Sequence, residues 1–135
     1  MNIMIVGSDL RTQILTKSLL AAKHQVTLVS NNKTYCTMIA NQTDQTAIWG
    51  DASQPDTLAS AGVDRCDLLI AMSEKDADNL VICELAKKRF CVPRTIATVE
   101  NPTNCTVFEK LGVDSVICSA EICSHSVENA ITALH

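Results

Sequence analysis

At 135 residues the chain has the common size of one domain, too small for a nucleotide-binding domain plus a separate substrate domain. Its net charge is -4 at pH 7 and its basic residues are scattered, so it lacks the clustered positive surface of a nucleic-acid-binding protein. No stretch approaches the ~20 apolar residues that span a bilayer. We therefore expect a soluble domain without direct membrane insertion.

Short β-branched runs alternate along the chain with segments of helical periodicity. Continuous apolar runs of this kind are typical of strands covered on both faces, as in a parallel sheet. The predicted strands are residues 3–6, 26–29, 46–49, 68–71, 95–99 and 115–117. With right-handed crossovers, the alternation predicts an α/β fold: a doubly wound, Rossmann-like three-layer sandwich whose six-stranded parallel sheet has the order 3-2-1-4-5-6. Residues 1–135 are expected to form this single domain.

Two intervening segments have clear helical stripes. The first helix, residues 10–22, is predicted to bury Leu10, Ile14, Leu15, Leu19 and Ala22. The helix at residues 75–90 is predicted to bury Val81, Ile82, Leu85, Ala86 and Phe90. Helix starts are predicted from a capping-box-like Ser73, from Asn101 followed by Pro102, and from Ser119 followed by Glu121.

Seven cysteines occur without any Cys-x-x-Cys pair, and the histidines do not fall at ligand spacing with them. An odd count in a chain without a secretory signal argues against a disulfide framework. We expect the cysteines to be reduced and mostly buried, and we expect no metal site.

In this fold, ligands bind beyond the carboxyl ends of the strands, where the strand order reverses. The residues at the first four of these ends are the candidate site. They are Gly7, Ser8, Asp9, Leu10 and Arg11; Ser30 and Asn31; Asp51 and Ala52; and Met72 and Ser73.

An ordered series of short motifs at and between these positions resembles the TrkA-N domain, also called KTN or the N-terminal lobe of RCK, the regulator of potassium conductance. The resemblance covers residues 1 to about 120. Its motifs are residues 1–7, 23–27, 50–52, 61–64, 70–73 with Asp76 and Asn79, 86–88, 96–97, 101–102 and 111–114.

The resemblance implies a regulatory domain and not an enzyme. Such a domain binds an adenine nucleotide, such as NAD(H), ATP, ADP or AMP, and reports its identity to a membrane-embedded potassium channel or transporter subunit. It implies a cytoplasmic domain that is peripheral to the inner membrane through this partner. It also implies that Asp51 and Ala52 lie beside the adenine, with Ser73 and Asn79 on the facing rim. Taken alone, however, Ser73 is more typical of a helix cap and Asn79 of a solvated helix residue.

The loop after the first strand departs from the Gly-x-Gly-x-x-Gly pattern, because Asp9 and Thr12 occupy the second and third glycine positions. Asp9 places a carboxylate where helix N–H groups would hold phosphate, and Arg11 is the residue that could offset its charge.

Two further departures remove expected polar contacts. Ser30 and Asn31 replace the acid that accepts the ribose hydroxyls, with Lys33 as the nearby cation, and Thr98 stands where the family often has arginine. Together with Asp9, these changes predict a degenerate site with weak or absent dinucleotide binding.

Two other functions stay open. One is a scaffold that keeps the fold and binds no nucleotide. The other is an NAD(P)-dependent oxidoreductase, which would need a proton donor such as Tyr-x-x-x-Lys near the nicotinamide. The single tyrosine, Tyr35, follows the second strand, on the adenosine side of the fold. This position disfavours the enzyme.

The last helix, from about residue 119, has an apolar stripe that must be buried somewhere. The stripe consists of Cys123, Val127, Ala130, Ile131 and Leu134. It could pack on its own sheet, as in a monomer with a docked tail. In RCK domains the helix at this point crosses to a second subunit, so the resemblance favours a homodimer with this crossover helix at its two-fold axis.

Overall fold

The computed structural model describes residues 1–43 and 45–134. Its strands are β1 Asn2–Val6, β2 Gln25–Ser30, β3 Thr46–Trp49, β4 Leu68–Ala71, β5 Arg94–Val99 and β6 Ser115–Cys118. All neighbouring strands pair in parallel, in the order β3-β2-β1-β4-β5-β6, which confirms the predicted doubly wound sheet. The order reverses between β1 and β4, so their carboxyl ends lie side by side at the switch point.

Helices cover both faces of the sheet. They are α1 Leu10–Ala21, α2 Lys33–Gln42, α3 Pro55–Ser60, α4 Asp76–Glu84, α5 Asn104–Lys110 and α6 Ser119–Ala133. A 3-10 turn, Val63–Arg65, precedes β4, and a π-helical segment, Leu85–Arg89, extends α4. β1 shows why its apolar run is continuous: Ile3 and Ile5 pack towards α1, whereas Met4 and Val6 join the larger core beneath α4. Apolar side chains are needed on both sides of β1 because helices cover both faces of the sheet.

The predicted buried face of α1 is correct in part for Leu15 and Leu19 but wrong for Leu10, Ile14 and Ala22. Leu10 and Ile14 are 66% and 60% exposed, whereas the helix buries Thr12 and Thr16, with Leu15 and Leu19 partly buried beside them. The physical reason lies at the helix start, where the Thr12 hydroxyl donates to Asp9 Oδ1. That hydrogen bond satisfies the inward-facing hydroxyl, so Thr12 can face the sheet. Leu10 and Ile14, two residues away on either side, then face solvent.

The predicted face of α4 is correct for Ile82 and Ala86 but wrong for Val81, which is 44% exposed. Asn79 and Cys83 take the inward positions instead. The buried polar Asn79 is satisfied by backbone groups of two other segments, as described below, so burying it costs little.

Two predicted helix caps differ from the structure. Asn101 does not cap α5. Its Oδ1 accepts from the backbone N–H and hydroxyl of Thr103, which closes a turn, and the helix begins only at Asn104. Ser119 is the first residue of α6 and not its cap, because the N-cap position is Cys118.

All seven cysteines are free. Cys36, Cys83 and Cys118 are buried, and burial raises the pKa of the Cys83 thiol to about 12. The expectation of burial is wrong for Cys91 and Cys123, which are exposed. Cys91 lies in the turn after the π-helical segment at a φ of 56°, and Cys123 lies on α6.

The last helix begins at residue 119 as predicted, but α6 buries none of its residues. Val127, Ile131 and Leu134 are exposed, and so is Ile122 on another side of the helix. The alternative in which the stripe packs on its own sheet is therefore wrong. Across residues 1–43 and 45–134, no helix has both the length and the apolar character that a bilayer span requires.

Candidate functional site

A cavity of about 550 Å³ opens at the carboxyl edge of the sheet, beside the switch point between β1 and β4. A volume of this size is typical of small-molecule sites. Its walls are the loops after β1, β2, β3 and β4 together with the start of α4.

The structure brings together many of the predicted site residues. Those that line the cavity are Gly7, Ser8, Ser30, Asn31, Asp51, Ala52 and Ser73. The remaining candidates lie outside the cavity wall and are Asp9, Leu10, Arg11, Met72 and Asn79. Leu10 is exposed on α1, and Met72 packs into the core on the α1 side of the sheet.

Gly7 allows the loop after β1 to pass close to two neighbouring segments. A Cβ atom at this position would lie 2.4 Å from Thr12 Oγ1 and 3.0 Å from the carbonyl oxygen of Met72. The first distance is shorter than real Cβ contacts allow, and the second is tighter than most of them. The first glycine of the loop is thus required here by packing, with Thr12 filling the space beneath it.

Asp9 caps α1 with its own carboxylate. Oδ1 accepts from the Thr12 backbone N–H and hydroxyl, each at 3.1 Å, and Oδ2 accepts from Arg11 Nε at 2.8 Å. Burial raises the pKa of Asp9, but the hydrogen bonds from Thr12 and the Arg11 guanidinium outweigh it and hold the pKa below its ordinary value. The N-terminus of α1, where a phosphate would bind, therefore already holds an anion.

The wall after β2 is held by local hydrogen bonds. Ser30 is buried, and its hydroxyl accepts from the Asn32 backbone N–H at 3.1 Å. Asn32 in turn caps α2, because its Oδ1 accepts from the Tyr35 N–H at 3.0 Å. Because the Ser30 hydroxyl holds this turn, Asn31 is the side chain that stands in place of the acid expected to accept the ribose hydroxyls.

Lys33 stands at the same wall, next to the aromatic ring of Trp49 at the end of β3. Lys33 Nζ lies 5.1 Å from the ring centroid, within cation–π range, and Trp49 Nε1 donates to the Asn31 carbonyl at 3.3 Å. The two side chains join the ends of β2 and β3 and place a positive charge at the cavity.

The side chain of Asp51, which follows β3, makes hydrogen bonds within its own loop. Its Oδ1 accepts from the Ser53 hydroxyl at 2.7 Å and the Ser53 N–H at 2.9 Å. The hydroxyl bond and then the N–H bond lower the pKa of Asp51 below its ordinary value. The carboxylate is exposed at the cavity wall.

The wall after β4 is built by Asn79, which stands behind it and not on its rim. Asn79 Oδ1 accepts from the Ser73 N–H at 2.9 Å and the Ser73 hydroxyl at 2.7 Å. Its Nδ2 donates to the carbonyl oxygens of Ser73 and Thr98. Ser73 is therefore not the cap of α4, whose N-cap position is Lys75. It is a cavity residue positioned by a buried amide.

The sequence reasoning missed several charged residues of the cavity wall, namely Glu74, Lys75 and Asp78. Lys75 follows Ser73 by two residues in the loop after β4, so the logic that selected the other strand ends could have included it. Asp78 precedes the buried Ile82 by four residues and so shares its helix face. The wall then carries two cations, Lys33 and Lys75, where the sequence analysis counted only Lys33.

Tyr35 lies on α2 and is buried, away from the cavity wall. Burial raises the pKa of its phenol above the ordinary value. A buried phenol of this kind packs the sheet and is not placed to donate a proton to a ligand. In the described part of the chain, no three His, Cys, Asp or Glu side chains are grouped as metal ligands would be.

A doubly wound parallel sheet with a polar cavity at its switch point defines the Rossmann-like class of domain. The chain belongs to the TrkA-N domain family, whose model matches residues 3–119. This confirms the resemblance described above.

A sequence relative and two solved structures illustrate the similarity. The chain is 31% identical over 132 residues to the Trk system potassium uptake protein TrkA homolog of Methanothermobacter thermautotrophicus, covering 98% of this chain and 61% of that protein. It therefore spans about three-fifths of the relative's length.

Both structures share the fold. The Shewanella denitrificans Kef CTD in AMP bound form has a TM-score of 0.87 and 21% identity, covering 99% of this chain and 82% of that one. The GsuK channel bound to NAD has a TM-score of 0.77 and 24% identity, covering 86% of this chain and 21% of that one.

Proposed function

We propose that this chain is the nucleotide-sensing regulatory domain of a potassium uptake or channel system. The observation that carries the proposal is the cavity at the switch point, whose walls come from four strand ends in a chain of the TrkA-N family. The potassium-uptake name of the Methanothermobacter relative supports the system, and the AMP-bound and NAD-bound neighbours support a nucleotide ligand. The candidates are NAD(H), ATP, ADP and AMP.

The domain acts by binding, and no covalent bond is made or broken. A nucleotide that fits one arrangement of two subunits better than another shifts the population towards that arrangement. The exposed apolar stripe of α6 supports a homodimer in which this helix crosses to the second subunit. The dimer would transmit the change to a membrane-embedded potassium channel or transporter subunit. We place the domain in the cytoplasm, peripheral to the inner membrane through that partner.

A second candidate is a scaffold that keeps the fold and the dimer surface but binds no nucleotide. The observation that favours it is the Asp9 carboxylate at the N-terminus of α1, in the place of a phosphate. The scaffold and the sensor differ only in whether the cavity is occupied. A direct binding measurement separates them.

An oxidoreductase is the least supported function. Its proton donor would have to reach the cavity, and the single tyrosine is buried in α2 outside the cavity wall. The fold alone does not confer catalysis. Oxidation of NADH or NADPH coupled to reduction of a small carbonyl compound would support the oxidoreductase function.

The test is a thermal-shift panel of ATP, ADP, AMP, NAD+, NADH, NADP+ and NADPH. A ligand at one hundred times its dissociation constant stabilises the folded state by about 2.7 kcal/mol, which is readily measured. We expect at least one adenine nucleotide to raise the melting temperature in a saturable way. A panel without any shift at millimolar concentration would favour the scaffold.

A further inference from the structure

The cavity lies over the ends of β1 to β4, on both sides of the switch point. Of the described residues that line it, none follows β5 or β6. A dinucleotide bound to this fold extends across both halves, with one nucleotide on each side of the switch point. A ligand confined to the cavity would reach the ends of β1 to β4 but not the ends of β5 and β6.

The second half is crossed by Arg11 from the first turn of α1. Arg11 Nη1 donates to Ser119 Oγ at 3.1 Å and to Glu100 Oε1 at 3.5 Å, and Ser119 Oγ donates to Glu100 Oε1 at 3.3 Å. Glu100 directly follows β5, and Ser119 directly follows β6. The guanidinium therefore reaches from the β1 loop over the end of β4 to the ends of β5 and β6. We call these three side chains the Arg11 bridge.

The bridge is anchored at both ends, which matters because an isolated surface ion pair contributes little. At one end, Arg11 Nε donates to Asp9 Oδ2 at 2.8 Å. At the other end, the Glu100 N–H donates to Asp76 Oδ1 at 2.8 Å, which ties the loop after β5 to the start of α4. A planar guanidinium with five donors can hold such partners at once.

The cavity wall carries three carboxylates, Asp51, Glu74 and Asp78, against two lysines, so a ligand with one phosphate brings less like charge than a ligand with two. Asp9 occupies the N-terminus of α1, so a diphosphate placed there would meet a carboxylate. The positive side chains of the cavity wall are Lys33 after β2 and Lys75 after β4. They stand on either side of the switch point, where one phosphate on a nucleoside could reach them.

We propose that the cavity selects a nucleoside monophosphate, and that the Arg11 bridge excludes the second nucleotide of a dinucleotide. This inference rests on the proposed nucleotide-binding function and adds the size class of the ligand. It assigns the selection to side chains that stand outside the cavity wall.

The experiment is calorimetric titration of AMP and of NAD+ into the unmodified protein, Arg11→Ala, Glu100→Ala and the control Lys17→Ala. Lys17 is an exposed cation of α1. We expect the unmodified protein to bind AMP at least tenfold more tightly than NAD+. Both bridge variants should reduce this ratio about tenfold, and the control should leave it unchanged. The two variants change the net charge in opposite directions, so a shared effect reports the loss of the bridge.

Three results would overturn the proposal. If NAD+ binds the unmodified protein as tightly as AMP, the domain senses nucleotides without selecting a monophosphate. If both bridge variants keep the original ratio, the bridge is not the excluding element. If no nucleotide binds any form, the proposed function fails together with this inference. Should Arg11→Ala not fold, Glu100→Ala tests the same bridge from its exposed end.

Discussion

Asn79 Nδ2 donates a 2.9 Å hydrogen bond to the carbonyl oxygen of Thr98, and thereby joins α4 to the carboxyl end of β5. The Asn79 side chain is only 1% exposed, and its Oδ1 accepts the N–H and hydroxyl of Ser73 in the cavity wall. One buried amide therefore connects the ends of two strands, β4 and β5, behind the cavity wall.

Replacing Asn79 with alanine should lower the free energy of unfolding by about 2–3 kcal/mol. The substitution leaves the buried Thr98 carbonyl and the half-buried backbone groups of Ser73 without these partners, and a fully buried unpaired group costs about 1–3 kcal/mol. Urea unfolding measures the change. Asn41→Ala is the matched control, because Asn41 is an exposed residue of α2. A loss no larger than that of the control would mean that the Ser73 loop rearranges and recovers its hydrogen bonds.

Replacing Asp9 with glycine should strengthen binding of NAD+, which we expect to be weak in the unmodified protein, with a dissociation constant on the order of 0.1 mM or worse. The change removes a like charge from the phosphate position, and glycine is nearly as good a cap as aspartate. Calorimetry should show a larger gain for Asp9→Gly than for Thr12→Gly. Equal gains, or a larger one for Thr12→Gly, would mean that helix packing and not charge limits the site.

Asp76 should make the protein sensitive to acid. Burial raises the pKa of this carboxyl, but the hydrogen bonds from the Glu100 N–H, the Asn101 N–H and the Asn104 side chain outweigh it and hold the pKa below its ordinary value. The folded-state pKa is thus lower than that of the unfolded chain, about 3.9. The stabilisation is present above that pH and is lost as the pH falls through the folded-state pKa.

Asp76→Asn tests this linkage, because an amide nitrogen cannot accept a hydrogen bond. We expect a loss of about 1–2 kcal/mol at pH 7, and a smaller further loss between pH 5 and pH 3 than in the unmodified protein. Chemical unfolding across this pH range measures both. Asp64→Asn, an exposed aspartate of the 3-10 turn, is the control. Identical pH profiles for Asp76→Asn and the unmodified protein would show that other groups set the acid limit.

The stripe of α6 should decide the oligomeric state. Val127 and Ile131 are both exposed in the single chain, so replacing them together with glutamate should cost its fold little. Sedimentation should show a dimer for the unmodified chain at micromolar concentration and a folded monomer for the variant. The control carries glutamate at His125 and Asn129, which have the same spacing on another side of α6. A monomeric unmodified chain would contradict the dimer and the signalling mechanism that depends on it.

The strands and their order could be predicted from the sequence because both faces of this sheet are covered. Residues such as Ile3 and Met4 are adjacent and apolar for that reason, and right-handed crossovers leave few ways to connect the strands. Because ligands in this fold bind beyond the carboxyl ends of the strands, Gly7, Ser30 and Ser73 in the cavity wall could also be predicted.

The helix faces and the supports of the site could not be predicted in the same way. Thr12 and Asn79 are polar, and the apolar periodicity used to predict the buried helix faces gives no sign that they are buried. Thr12 is satisfied by Asp9 in the adjacent loop, whereas Asn79 is satisfied in part by a distant strand. Asn79 needs a carbonyl group nineteen residues away, and Arg11 finds Ser119 at a separation of 108 residues. Such long-range partners become visible only once the chain is folded.

The position of Trp49 gives this protein its own optical probe. It is the single tryptophan of the sequence, its side chain is 59% exposed, and Lys33 lies over its ring. A phosphate that draws Lys33 into the cavity would remove a cation from the indole face and change the solvent around it. The intrinsic fluorescence of the unlabelled domain would then shift on ligand binding, with only one tyrosine as background.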